Sequence, residues 1–174
     1  MLRGTLAAVQ MRIGQGLDIH AFSDDPARPL VLGGVTIPGA TGLAGHSDAD
    51  AVVHACIDAL LGAAGLGDIG TLYPDTDATF AGVDSIALLG DTMRRLAADG
   101  WIVHNLDCTV VAEAPKLAPH RSEMRAILEG AVGAPVNVKA TRAEGLGALG
   151  RVEGIMCTAV ALIGREHEQD EQEA

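Results

Sequence analysis

Three side chains stand out for chemistry they could share. Asp18 and His20 lie two residues apart in an apolar run, and alternation along a strand puts both on one face. His54 sits in a stretch where Val53, Ile57, Leu60 and Ala64 recur at helical spacing. A helix packed on a sheet can bring such a histidine to such a pair, giving two imidazoles and one carboxylate. Catalytic zinc commonly has three protein ligands and an open fourth position, so this count suits catalysis better than a closed structural site. Non-haem iron takes the same ligand types, and a lone DxH is common in proteins without any ion. The residues therefore leave the metal open.

Other segments suit phosphate. Gly45-His46-Ser47-Asp48 places an imidazole, a hydroxyl and free amides at an expected helix start, where the first N–H groups lack partners and attract anions. Ser47 is read as the N-cap, with Asp48 and Asp50 in the first turn. Lys139, Thr141 and Arg142 leave a strand and enter a glycine-rich loop ending at Arg151. Their side chains are natural phosphate partners, and Glu144 among them suits a hard ion such as Mg²⁺. Asp68, Ile69, Gly70, Tyr73, Asp75 and Asp77 form a loop whose carboxylates fit polyol hydroxyls. Residues 112–118 are irregular and leave backbone groups free. Taken singly, each also fits ordinary capping or a surface turn.

These groups need a scaffold. Of the 174 residues 48% are apolar but only 2% aromatic, so the core must be built from Val, Ile, Leu and Ala. Strands are expected at 12–22, 29–37, 102–111, 136–140 and 154–163. Helices are expected from Ser47 to Gly65 or Gly67, at 84–98 and at 120–132, with a loop over 68–80. This pattern predicts an α+β fold, a two-layer α/β sandwich of one mixed sheet with helices on one face. The other face has too few helices to cover it, so association as a homo-oligomer is expected. Gly14 and Gly16 would let another chain or a ligand come close to the first strand. Residues 1–11 read as an N-terminal extension, 12–164 as a single domain, and 165–174 as an acidic, disordered tail. The net charge of −11 argues against nucleic acid. No segment reads as a signal peptide or a membrane span. Cys56, Cys108 and Cys157 are odd in number and form no CxxC, as expected of free thiols in a reducing cytoplasm.

The ordered stretches RIGQGLDIHAF, LGGVTIP, GLAGHSDADAVVHACIDALLGAAGLGDIG, YPDTD, VVAEAPKLAPH and NVKATRAEGLGALGRVEGI resemble the 2-C-methyl-D-erythritol 2,4-cyclodiphosphate synthase family of the non-mevalonate isoprenoid (terpenoid) pathway. They cover nearly all of the chain from 12 to 163. The resemblance implies a phosphorus-oxygen lyase that converts 4-diphosphocytidyl-2-C-methyl-D-erythritol 2-phosphate to the cyclodiphosphate and releases CMP. It implies Zn²⁺ on Asp18, His20 and His54, and Mg²⁺ or Mn²⁺ against the diphosphate with Glu144. His46 and Arg142 would be catalytic. Substrate would be held by Asp18, His20, His46, Ser47, Asp68, Ile69, Gly70, Tyr73, Asp75 and Asp77. Further contacts would come from Ala112, Pro115, Lys116, Leu117, Ala118, Thr141, Arg142, Glu144, Ala148 and Arg151. It also implies a homotrimer with sheets packed around its axis and active sites between subunits. The axis would enclose a cavity able to take an isoprenoid diphosphate.

The chain departs from the family pattern at three places: Arg142 replaces a threonine, Ala148 a phenylalanine and Gln15 a histidine. None is among the three metal ligands. A non-haem iron oxygenase and a non-catalytic trimer binding isoprenoids or nucleotides are the alternatives. The first has no need of the Thr141–Glu144 loop, and the second has no need of an open metal position.

Overall fold

The computed structural model describes residues 8–167. Residues 1–7 and 168–174, most of the expected extension and tail, lie outside the described residues. Strand β1 (Ala8–Ala21) begins inside the segment read as an extension, and β6 (Gly154–His167) runs into the segment read as a tail. The two pair antiparallel along their whole length, from Ala8 opposite His167 to Ala21 opposite Gly154. β6 pairs antiparallel on its other side with β4 (Ile102–Val111), and β4 pairs parallel with β5 (Val136–Thr141). The order β1-β6-β4-β5 makes a mixed sheet.

The stretch 29–37, read as one strand of that sheet, is instead a hairpin with a two-stranded sheet of its own. β2 (Pro29–Leu32) turns into β3 (Val35–Thr41) through Gly33 and Gly34. Both glycines have positive φ, 58° and 76°, as a two-residue turn between right-twisted strands requires.

Helix α1 (Ala51–Ala64) starts later than its sequence suggests, and its N-cap is Asp50 rather than Ser47. The Asp50 carboxylate is fully buried and accepts from Val52 N and Val53 N in the helix and from Gly33 N and Gly34 N in the hairpin turn. One carboxylate thus caps the helix and ties the small sheet to it. Ala49, with φ 57°, makes the preceding kink. Gly65 in the left-handed region ends the helix. All of α1 except Asp58 and Gly62 is buried. It lies so close to β1 that a Cβ on Gly14 would sit 1.9 Å from Ala59 O, and one on Gly16 2.0 Å from Ala55 O. What comes close to the two glycines is the backbone of this chain's own helix rather than another chain or a ligand.

The loop expected over 68–80 contains two short turns, α2 (Ile69–Leu72) and a 3₁₀ turn at Ala78–Phe80. Helix α3 (Ser85–Ala98), capped by Asp84, packs on α1, and α4 (Arg121–Val132) packs on α3 and β5. A last turn, α5 (Gly147–Gly150), precedes β6. Among the described residues nothing covers the sheet's other face. Val9, Met11, Ile13, Leu17, Ile19, Ile102 and Val160 are exposed there, Ile13 by 73%. Among the described residues no helix is long and apolar enough to cross a membrane.

Candidate active site

The deep seat of α1 on β1 carries His54 to Asp18 and His20. Asp18 Oδ2 lies 2.8 Å from His20 Nε2 and 3.1 Å from His54 Nδ1, and the two ring nitrogens are 3.4 Å apart. One ligand atom from each residue falls within 4.8 Å of the others. His20 Nδ1 is 2.7 Å from Ala44 O, which can only accept, so Nδ1 carries a proton and Nε2 faces the cluster. Burial pushes the Asp18 carboxyl up, but hydrogen bonds and charge from His20 and His54 together outweigh it and bring it down to about 2. The hydrogen bond to Asp18 in turn raises His20. An ionised carboxylate and two convergent imidazoles, one held by a carbonyl behind it, fit a divalent ion of zinc's type.

The cluster forms part of the wall of a cavity of about 390 Å³, lined also by His46, Ser47, Ile69, Gly70, Tyr73 and Asp75. The sequence singled out each of these. His46 is exposed and its Nε2 lies 3.2 Å from Asp77 O. Tyr73 contributes its ring, but its hydroxyl turns inward to Asp91 at 2.9 Å and Thr92 at 3.0 Å, away from any ligand in the cavity. The carboxylates of Asp68 and Asp77 cap the two short turns, receiving bonds from Thr71 and Thr79 that hold both below their ordinary values.

A second cavity of about 350 Å³ is lined by Ala112, Glu113, Pro115, Lys116, Leu117, Ala118, Thr141 and Arg142, with Ala140. Arg142 pairs there with Glu113, its Nη2 2.8 Å away, rather than with the histidine cluster. Glu144, Ala148 and Arg151 line neither cavity. Glu144 sits in the left-handed region at φ 52°, Ala148 lies in α5, and Arg151 pairs with Glu153 at 2.6 Å. One chain therefore carries most of the expected residues in two separate groups, with Asp68, Asp77, Glu144, Ala148 and Arg151 outside both linings.

Several contributors carry no sequence signal. The Nη2 of Arg28, in the turn before β2, donates to Ser47 O at 2.5 Å and braces the Gly45–Asp48 segment. His54 Nε2, on the side of the ring away from Asp18, lies 2.9 Å from Ser85 Oγ and 3.1 Å from Ser47 Oγ. The sequence marks Asp50 as a first-turn acid, and the four amides it receives depend on a hairpin whose local signal, Gly33-Gly34 between two apolar runs, is passed over when 29–37 is read as one strand.

The YgbB family model matches residues 11–164. The chain is 54% identical over 160 residues to the 2-C-methyl-D-erythritol 2,4-cyclodiphosphate synthase of Bordetella petrii, covering 90% of this chain and 98% of that one. It is 53% identical to the enzyme of the same name from Yersinia enterocolitica, over 88% of this chain and 96% of the other. Among solved structures it resembles the bifunctional IspDF of Campylobacter jejuni, with TM-score 0.86, 38% identity and 91% of this chain covered. The chain spans 43% of that longer protein. It also resembles the CDP complex of Plasmodium falciparum IspF, with TM-score 0.78, 31% identity and coverage of 90% and 97%.

Proposed function

The chain belongs to the YgbB family and carries the 2-C-methyl-D-erythritol 2,4-cyclodiphosphate synthase activity of isoprenoid biosynthesis; on that premise we propose how its two cavities share the work. The observation that carries the proposal is the convergence of Asp18, His20 and His54 in the wall of a cavity large enough for a small phosphorylated polyol. In the reaction, an oxygen of the substrate's 2-phosphate forms a bond to the β-phosphorus. The bond from that phosphorus to the bridging oxygen breaks, and CMP leaves with the electron pair. Both reacting groups belong to one molecule, so the protein's task is to fold the substrate and balance its charge. No residue need act as a nucleophile.

Asp18, His20 and His54 are the residues that would hold zinc, and Glu144 a second ion, Mg²⁺ or Mn²⁺. A bound divalent ion supplies Lewis-acid polarisation of phosphoryl oxygens. His46 and Ser47 face the methylerythritol phosphate, with His46 placed to steady developing charge. Gly70 and Ile69 offer backbone, and Asp75 a carboxylate, to the polyol. Residues 112–118 read the cytosine through backbone groups, and Thr141 and Arg142 take the phosphates.

The Plasmodium falciparum IspF is described as a CDP complex, and so is the bound form of a further solved 2C-methyl-D-erythritol-2,4-cyclodiphosphate synthase 38% identical to this chain, which favours a cytidine nucleotide as the ligand here. The metal cavity and the nucleotide cavity are separate within one chain, so we assign them to neighbouring subunits of a homotrimer. Its interface is the bare apolar face around Ile13 and Val160. Residence in the cytoplasm belongs to the same proposal and rests on the three free, buried cysteines.

The test is to incubate the purified protein with the cytidine substrate and Mg²⁺, following CMP release and bound metal together. Zinc near one per chain and stoichiometric CMP are expected. Iron in place of zinc would overturn the metal assignment, and turnover undiminished after complete chelation would overturn the metal's role. His54→Ala is expected to remain folded yet lose zinc and CMP release.

A further inference from the structure

The ligating side of His54 is explained by Asp18 and His20, but the other side of its ring meets a second set of groups. Ser85, the first residue of α3, is fully buried and its Oγ lies 2.9 Å from His54 Nε2. The Ser85 hydroxyl also contacts Asp48 Oδ1, while Ser85 N donates to Asp48 Oδ2 at 3.0 Å. Asp48 is held from two further directions. Its own N–H donates to Val83 O at 3.2 Å, and its Oδ1 accepts from Asp50 N at 3.2 Å.

The donors and acceptors along this chain leave one consistent assignment. A serine hydroxyl has one proton and two lone pairs. The contact with an ionised carboxylate is the stronger of the two available to it, so the Ser85 proton goes to Asp48. Its oxygen then presents only lone pairs to the ring. His54 Nε2 must donate to it, which places the imidazole proton on Nε2. Nδ1, 3.1 Å from Asp18 Oδ2, is then the nitrogen whose lone pair serves an ion, and the proton it shares with Asp18 in the metal-free protein leaves when the ion binds. Ser47 Oγ, 3.1 Å from the same Nε2, already accepts from Ala49 N at 3.1 Å and has lone-pair capacity to spare. It can share the Nε2 proton without reversing the direction.

From this geometry we propose that Ser85 and Asp48 are positioning residues for metal binding: the Asp48–Ser85 pair holds the proton of His54 on Nε2 and so fixes Nδ1 as the ligand atom. His20 is fixed by the simpler device of one carbonyl, Ala44 O. The two histidines thereby present opposite ring nitrogens, Nε2 of His20 and Nδ1 of His54, as their different approaches from strand and helix demand. The inference rests on the reading of Asp18, His20 and His54 as a metal site. It adds two residues from outside the metal cavity's wall, one of them 31 positions from the histidine it serves. Partners that fix a ligating imidazole are typically worth 10–100-fold in metal affinity.

The experiment compares the full-length wild type with Ser85→Ala and Ser85→Thr. The readouts are zinc affinity by chelator competition, the visible spectrum of the Co²⁺ form and thermal unfolding of the metal-free protein. Ser85→Ala is expected to unfold near the wild-type temperature, to bind zinc roughly 10–100-fold more weakly and to alter the Co²⁺ band. Ser85→Thr, which keeps the hydroxyl, is expected to restore both metal readouts. Wild-type affinity in a folded Ser85→Ala protein overturns the proposal while leaving the metal site itself standing. Failure of the wild type to take up zinc or cobalt defeats the metal reading instead. If Ser85→Ala does not fold, long-range ¹H–¹⁵N correlation of the zinc-loaded wild type decides. A protonated Nε2 on His54 is the expected result, and a metal-bound or unprotonated Nε2 overturns the assignment.

Discussion

Adding one methyl group at Gly16 is expected to break the metal cluster without touching any of its members. The new Cβ would lie 2.0 Å from Ala55 O and 2.7 Å from Ala59 N, both backbone atoms of a buried helix. Ordinary contact begins at 3.4 Å, so α1 must back away from β1 by about 1.4 Å, and no side-chain rotation can absorb the shift. Overpacking of this kind costs about 1–3 kcal/mol of stability. The effect on the site is larger than the effect on the fold, because Asp18 and His20 stay with β1 while His54 leaves with the helix. Zinc–ligand distances are held to within about 0.2 Å, so a shift of this size removes His54 from the ligand set. Gly16→Ala is therefore expected to weaken zinc binding by more than about 100-fold, beyond the range for residues that only support a ligand. Gly62→Ala is the matched control. It lies on the same helix, a Cβ there meets nothing within 4 Å, and it is expected to be neutral or stabilising by up to ~1 kcal/mol. Denaturant unfolding of both metal-free proteins, with chelator-competition titrations, reads the two effects separately. If Gly16→Ala loses stability but keeps wild-type zinc affinity, the helix seat does not set the geometry of the cluster and the reasoning fails.

Asp50→Ala is expected to destabilise the protein by about 3 kcal/mol or more, since it strands four amides in two elements; a loss below about 1 kcal/mol in denaturant titrations would show that water replaces the carboxylate. Ile13→Asp puts a charge on the bare sheet face and is expected to yield folded protein that sediments as a monomer, whereas an unchanged trimer would place the interface elsewhere. Mixing is the sharpest check on shared sites. A metal-dead variant, His54→Ala, and a nucleotide-dead variant such as Thr141→Glu should each be inactive. Unfolded and refolded together in equal amounts, they should recover about a quarter of wild-type activity, because one site in four pairs two intact halves in a closed ring. No recovery, with mixed trimers verified by mass, would mean each subunit holds a complete site.

What the sequence made legible follows the range of each interaction. Asp18 and His20 share a face because strand alternation acts over two residues, and α3, β4 and α4 are readable because their apolar periods are local. The start of α1 was misread because Ser47, Asp48 and Asp50 all qualify as caps. The choice fell to Asp50 through the positive φ of Ala49 and the hairpin amides, and no propensity rule places an alanine in that conformation. The hairpin itself hid inside one apolar run because Gly33-Gly34 was read as part of a strand. Ser85 was invisible for a different reason: it stands 31 residues from His54 and its own neighbourhood says only helix start. Several residues of 112–118, with Thr141 and Arg142, line one cavity together with Ala140, and nothing local indicates that it opens apart from the cavity of the metal cluster.

The pairing of β1 with β6 also sets a timetable. Asp18 and His20 ride on β1, which is made well before its partner, and among the described residues that partner in the sheet is β6, residues 154–167. Until those residues are made, β1 has an unpaired edge on both sides and α1 has half a floor to rest on. The ligands of the cluster are all present within the first 54 residues but have no fixed spacing for the whole of the remaining synthesis. Metal capture thus waits for β6 rather than for the ligands themselves. A ribosome-stalled fragment ending before β6 should bind zinc no better than an unfolded peptide, and adding the strand should switch binding on in a single step.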